Sequence, residues 1–295
     1  MLVNKRVYAF ASASLIVLAA VLLFVFGFSG EPRYETPRLI EYSYTIQNRS
    51  DRLVEHPCLT IPAPVKRTAT QSTIAVTCSL PMSIETDMLG NQLIRITIPD
   101  LPPFSSRRIN ISANLLHSEK SNREPLDDPR LFKCPEKYIE CDHADIRRLA
   151  ATLKTGSDLE TARNIYQWVS ERIQYTGFLR NRRGALQALK TRKGDCTEFA
   201  DLFIALCRAN GIPCRAVAGY VAQSNAVLTP NGFHNWAEFY AKGRWNICDP
   251  QGKRFMQDSD HYIAMHIFAD PERTAAASFA RFRVSDTNLK VRMNS

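Results

Sequence analysis

Among the eight cysteines of the sequence, Cys196 stands where a thiol can do chemistry. It follows Lys193-Gly194-Asp195 and precedes Thr197-Glu198-Phe199-Ala200-Asp201-Leu202-Phe203. Gly194 permits a tight approach. Asp195 suits a helix N-cap, and Glu198 three residues later completes a capping box. Phe199, Leu202, Phe203, Leu206 and Cys207 then recur at helical spacing up to Asn210. Gly211 supplies a C-cap and Pro213 a stop. Cys196 is therefore expected in the first turn of a buried helix, off its apolar stripe. There the unpaired N–H groups and the positive end of the helix dipole favour a thiolate and can donate to an oxyanion. Cys207 lies on the stripe and reads as inert packing.

A thiolate nucleophile needs a proton-transfer partner, and that partner needs orienting. Ile212 to Val221 reads as a strand, Gly232 to Tyr240 as a second with His234 at its start, and Trp245 to Cys248 as a third, ended by Asp249-Pro250. The turn Ala241-Lys242-Gly243-Arg244 makes the last two an antiparallel hairpin. A hairpin between His234 and Asp249 can return both side chains to one end of the sheet. The order Cys196, His234, Asp249 supplies nucleophile, general base and orienter. This chemistry usually has a second oxyanion donor, for which Gln174, Tyr175 and Gln187 are upstream candidates.

The elements that must position these groups begin near residue 144. Ala144 to Lys154 is expected as a helix. Ser157-Asp158 offers caps for another, whose Leu159, Ala162, Ile165, Tyr166, Val169 and Ile173 recur at helical spacing to about Tyr175. Arg180 to Arg183 is expected as a solvated basic loop, and Ala185 to Leu189 as a short helical turn. Upstream, residues 38–116 alternate with period two: Ile40, Tyr42, Tyr44 and Ile46; Ile74, Val76, Cys78 and Leu80; Ile94, Ile96 and Ile98; Ile109, Ile111, Ala113 and Leu115. Turn signals between these runs predict an antiparallel sheet or sandwich with one buried face. Ile61 to Pro64 and Pro99 to Pro103 belong at edges and loops. Glu55 and His56 read as loop surface. Residues 117–142, broken by Pro125, Pro129 and Pro135, read as an irregular linker. Cys134 and Cys141 could close a disulfide there, remain free, or join His143 in a zinc site.

The apolar run from Val7 to Phe28 carries no charge, and Lys5 and Arg6 precede it. About 22 helical residues span a bilayer core. The flanking charges predict the N-terminus inside and the remainder outside. The run is longer than the apolar region of a cleaved signal peptide. A single-pass membrane protein with an extracytoplasmic domain is therefore expected, with its cysteines in an oxidising compartment. The 38 basic and 29 acidic residues give a net charge of +9. The charge is dispersed, with no basic run or helix face of the kind that binds nucleic acid, so no nucleic-acid partner is expected.

Four stretches resemble the core of the transglutaminase-like superfamily over about residues 145–265. They are Lys193-Gly194-Asp195-Cys196, the run from Ala205 to Arg215, His234-Asn235-Trp236-Ala237-Glu238, and Trp245-Asn246-Ile247-Cys248-Asp249-Pro250. The resemblance implies an α+β, papain-like fold in which a nucleophile helix packs on an antiparallel sheet. It also implies Cys196 as nucleophile, His234 as base and Asp249 as orienter. The expected organisation is an anchor (1–30), a β-sandwich-like domain (38–116), a linker (117–142), a catalytic domain (143–270) and a C-terminal tail (271–295). The implied activity is thiol-dependent acyl transfer at amide bonds of a protein or peptide, with no cofactor or metal. Such a peptidase, amidase or cross-linking enzyme has one alternative, an inactive membrane-tethered scaffold of the same fold.

Overall fold

The structure is a computed structural model that describes residues 33–269 and 282–295. The expected membrane span, residues 7–28, lies outside the described residues. Among the described residues, no helix is long and apolar enough to cross a membrane.

The fold is a mixed α+β architecture in which residues 34–295 cluster as one unit. Two sheets form a sandwich. One runs in the order β10 (Ala226–Val227), β1 (Thr36–Asn48), β6 (Ser106–His117), β3 (Gln71–Cys78), with β16 (Leu289–Met293) also on β1. The other runs β15 (Arg283–Val284), β2 (Cys58–Ala63), β5 (Gln92–Thr97), β4 (Met82–Thr86). Ile40, Tyr42, Tyr44, Ile46, Ile94, Ile96, Ile98, Ile109, Ile111 and Leu115 fill the space between them. This is the period-two pattern turned inward, and each buried large aliphatic side chain contributes about 2 kcal/mol.

One strand expectation needs correction. Ile74 is 56% exposed and does not pack inward with the half-buried Val76 and Cys78. The register of β3 against β6 shifts between Thr73 and Ala75, and an extra residue at such a bulge turns its side chain to the other face. Pro62 lies within β2 at an edge, as expected: among the described residues β15 covers β2 at Leu59 and Thr60 alone, leaving that side of Pro62 without a strand partner.

The linker and tail are also more ordered than their composition implies. Leu131 and Phe132 are buried in a short 3₁₀ turn beside Trp245, and Ile139 and Cys141 enter the core between the helices and the antiparallel sheet of the remaining half. The buried Arg208 guanidinium fixes this stretch, donating to the Cys134 carbonyl and the Glu136 carboxylate at 2.7 Å each. In the tail, Leu289 and Val291 face inward while Lys290 and Arg292 face solvent, so β16 fits the edge of β1. All eight cysteines are free, so no disulfide joins Cys134 to Cys141. Cys134, Cys141 and His143 form no metal-binding group among the described residues.

The remaining half holds four α-helices among the described residues: α1 (Ala144–Leu153), α2 (Asp158–Arg172), α3 (Ala185–Thr191) and α4 (Cys196–Ala209). Its antiparallel sheet runs β13 (Arg254–Phe255), β12 (Arg244–Asp249), β11 (Phe233–Ala241), β9 (Cys214–Val221), β14 (Tyr262–Ile267). Helix α2 stops at Arg172, three residues before the expected end, because Gln174 and Tyr175 pair as strand β7 with Lys193 and Gly194 of β8. Helix α4 is buried from Glu198 to Arg208 and packs on β11 and β9, with the other three helices around it.

Candidate active site

Local sequence places Cys196 at the mouth of α4. The Asp195 carboxylate accepts from Thr197 N at 2.8 Å, and Glu198 accepts from Asp195 N at 3.1 Å, which is the expected capping box. Gly194 is required here, since a Cβ at that position would lie 2.4 Å from Glu198 Cβ. Asp195 and Glu198 also hold the segment that precedes α3. Leu179 N donates to Asp195 Oδ2 at 2.9 Å, and Arg183 N donates to Glu198 Oε1 at 2.8 Å. Arg182, expected to be solvated, instead turns inward and pairs with the buried Asp201 at 2.8 Å. Burial raises the Asp201 carboxyl to about 6, against the opposing pull of Arg182.

The β11–β12 hairpin brings His234 and Asp249 to one end of the sheet, with His234 Nε2 2.7 Å from Asp249 Oδ2. The Asp249 carboxylate is buried and has two further donors: Tyr262 Oη at 3.0 Å and Gly252 N at 2.8 Å. A Cβ on Gly252 would lie 2.3 Å from Asp249 Oδ2, so the close turn needs glycine. Cys196 lines the same cleft as His234. With Nε2 engaged by Asp249, Nδ1 is the nitrogen left for the sulfur. Burial alone would lower the His234 pKa, but Asp249 and Cys196 outweigh it and raise the value to about 10. The imidazole is therefore protonated at neutral pH. Burial and the Asp249 carboxylate push the Tyr262 phenol up, so it remains a donor.

The three residues expected from sequence thus lie together, and the structure adds others. Asn235 Nδ2 stands 3.7 Å from Cys196 Sγ and 3.2 Å from Thr197 Oγ1. Trp236 is buried with its ring stacked near that of His234, the centroids 6.4 Å apart. Tyr262, Gly252 and Asn235 escaped the sequence reading. A lone tyrosine at a strand start reads as packing, and an asparagine beside a histidine gives no periodic signal. Cys196 faces a cleft of about 400 Å³ shared with His234, Asp249, Arg254 and His261. A second hollow of about 310 Å³ also reaches Cys196, lined by Tyr175, Phe178, Pro230 and Phe233. Tyr175 lines both, whereas Gln174 and Gln187 line neither. Cys207 is fully buried, and burial pushes its thiol well up, as befits packing.

Comparison with known proteins places this geometry in context. Residues 147–250 match the model of the transglutaminase-like superfamily. The chain is 32% identical over 198 residues to the kyphoscoliosis peptidase of Mus musculus, covering 55% of this chain and 30% of that protein. It is 31% identical over 102 residues to the kyphoscoliosis peptidase of Homo sapiens, covering 32% of this chain and 15% of that one. The match therefore spans less than a third of the length of these relatives. A crystal structure of a proposed cysteine protease from Cytophaga hutchinsonii superposes with a TM-score of 0.59 at 20% identity, covering 88% of this chain and 89% of that one, a likeness of fold. Helix α4, the antiparallel sheet and the matched residues agree: residues 147–250 are similar to a transglutaminase-like core.

Proposed function

We propose that the protein is a thiol-dependent acyl-transfer enzyme acting at amide bonds of a protein or peptide, with Cys196 as nucleophile, His234 as acid and base, and Asp249 as orienter. The observation that carries this reading is the 2.7 Å contact of His234 with Asp249 beside Cys196 at the wall of one open cleft. Cys196 thiolate attacks the amide carbonyl carbon, forming a C–S bond and moving the π electrons to oxygen. Helix-start N–H groups, including that of Cys196, face the developing oxyanion. Tyr175 and Asn235 are the side-chain donors beside it. Protonated His234 gives its proton to the departing nitrogen as the C–N bond breaks, which leaves a thioester and a free amine. Neutral His234 then takes a proton from water or from a second amine as it attacks the thioester, and the thiolate departs. Water completes hydrolysis and an amine completes cross-linking. Asp249 stabilises the imidazolium throughout and does not take its proton.

The test is capture of the intermediate. Incubation with peptide and amine libraries is expected to yield a thioester on Cys196, visible by intact mass, that either water or amine resolves. Cys196→Ala is expected to abolish both capture and turnover while leaving the melting temperature nearly unchanged. Equal loss from Cys207→Ala without unfolding would assign the chemistry to the wrong sulfur.

A further inference from the structure

Strand β14 ends the catalytic sheet, with β9 on its inner side. Among the described residues no strand pairs with its outer edge; groups from the sandwich take that place. Gln71 Oε1 accepts from Ala264 N at 2.8 Å, and Gln71 Nε2 donates to Ala264 O at 3.1 Å. Val65 N also donates to Ala264 O, at 2.8 Å. Farther along, Asn91 Oδ1 accepts from Ile267 N at 2.7 Å, and Asn91 Nδ2 donates to Ile267 O at 2.9 Å. Each side-chain amide thus satisfies the N–H and C=O of one residue as a neighbouring strand would. Both amides are buried, Gln71 at 0% and Asn91 at 3% exposure. The Asp87 carboxylate steadies Asn91 at 3.0 Å.

The side chains of β14 divide between two cores. Ile263 and Met265 enter the sandwich interior, while Tyr262, Ala264 and Ile267 pack with Val65, Val217 and Trp236. The turn before β14 is tied back as well, since Arg38 Nη2 donates to Asp260 O at 3.2 Å. Tyr262 is the first residue of this strand, two residues from the Gln71 anchor. Its hydroxyl donates to the same Asp249 oxygen that holds His234.

We propose that the β-sandwich is a structural half of the active centre, with Gln71 and Asn91 as positioning residues that fix β14 and, through the Tyr262 hydroxyl, aim the Asp249 carboxylate at His234. The proposal rests on the reading of Cys196, His234 and Asp249 as a working triad. An amide that merely fills an edge would contribute to stability alone. An amide that aims the triad also changes the reactivity of the sulfur, through a carboxylate on a different sheet. The groups that face Asp249 are His234, Tyr262 and the Gly252 N–H, and Arg254, Asp258 and His261 share its cleft.

The experiment measures the rate of Cys196 alkylation by iodoacetamide against pH in the full chain, read by peptide mass spectrometry, which needs no substrate. Gln71→Ala and Tyr262→Phe are each expected to move the profile toward higher pH by about half a unit, roughly a threefold loss of rate on its rising limb. The double variant is expected to move it no further than the larger single change, because the two act through one path. Asn91→Ala should move it in the same direction by less. Profiles of Gln71→Ala and Asn91→Ala that superimpose on wild type, even with lowered melting temperatures, would overturn the proposal, as would additive shifts in the double variant. If Gln71→Ala does not fold, Asn91→Ala decides alone by the same criterion. His234→Ala separates the two ideas. If it leaves the profile unmoved, the triad reading fails; if it moves the profile while the sandwich variants do not, the positioning claim alone fails.

Discussion

Asp249 accepts from three directions at once, and each donor comes from a different part of the chain: His234 on β11, Tyr262 on β14 and the Gly252 N–H in the following turn. The tightest of these constraints is steric. Gly252→Ala would place a methyl group 2.3 Å from Asp249 Oδ2, so the carboxylate must rotate off His234. An error of about 1 Å in a catalytic group can cost on the order of 10²-fold in rate. We therefore expect Gly252→Ala to lower kcat by about 10- to 100-fold with little change in KM, measured on whichever acyl donor the capture experiment returns. Cys196, His234 and Asp249 were legible in the sequence because each sits at the end of an element whose start or stop has a local signature. Tyr262 and Gly252 were not, because their roles exist only once the chain returns across the sheet. No spacing of residues records that return.

At the scale of elements, α4 was legible almost residue for residue, since a capping box, a 3.6-residue apolar stripe and a terminal glycine all agree. The segment before α3 was misread. Its four consecutive positions Arg180 to Arg183 suggest solvation, yet Arg182 reaches an aspartate that is 1% exposed in its side chain. Removing one partner of such a pair strands a buried charge, at a cost of about 3 kcal/mol. Arg182→Ala is expected to lower unfolding free energy by about that amount in urea titration, and to loosen the segment carrying Phe178 beside Cys196. The bulge in β3 was illegible for another reason. Alternation assumes an unbroken register, and Ile74 carries no local mark of the extra residue.

The buried histidines set how the whole molecule answers to pH. His117 and His266 are lowered to about 4, chiefly by burial, and His234 is raised to about 10. Below about pH 6.5 the unfolded chain binds protons that native His117 and His266 refuse, so their contribution to stability is lost as pH falls toward 4. His234 has the opposite sign: its contribution is complete below about 6.5 and is lost as pH rises through 10. Melting temperature plotted against pH should accordingly peak near neutrality, and Asp249→Asn should flatten the alkaline limb while leaving the acid limb in place. The alternating strands of residues 38–116 announced a sandwich, but not that it would pack against β14 at the edge of the other sheet. Two of the side chains that make this junction, Gln71 and Asn91, have ordinary local surroundings in the sequence.

The pairing of β16 with β1 sets an order of events during synthesis. Residues 36–48 leave the ribosome long before residues 289–293, and the entire helical and catalytic stretch is made in between. The nascent chain must therefore carry an unfinished first sheet, its β1 edge open from Tyr44 to Asn48, until residues 289–293 are made. A polypeptide halted after residue 267 would hold Cys196, His234 and Asp249 and still lack the strand that closes this edge.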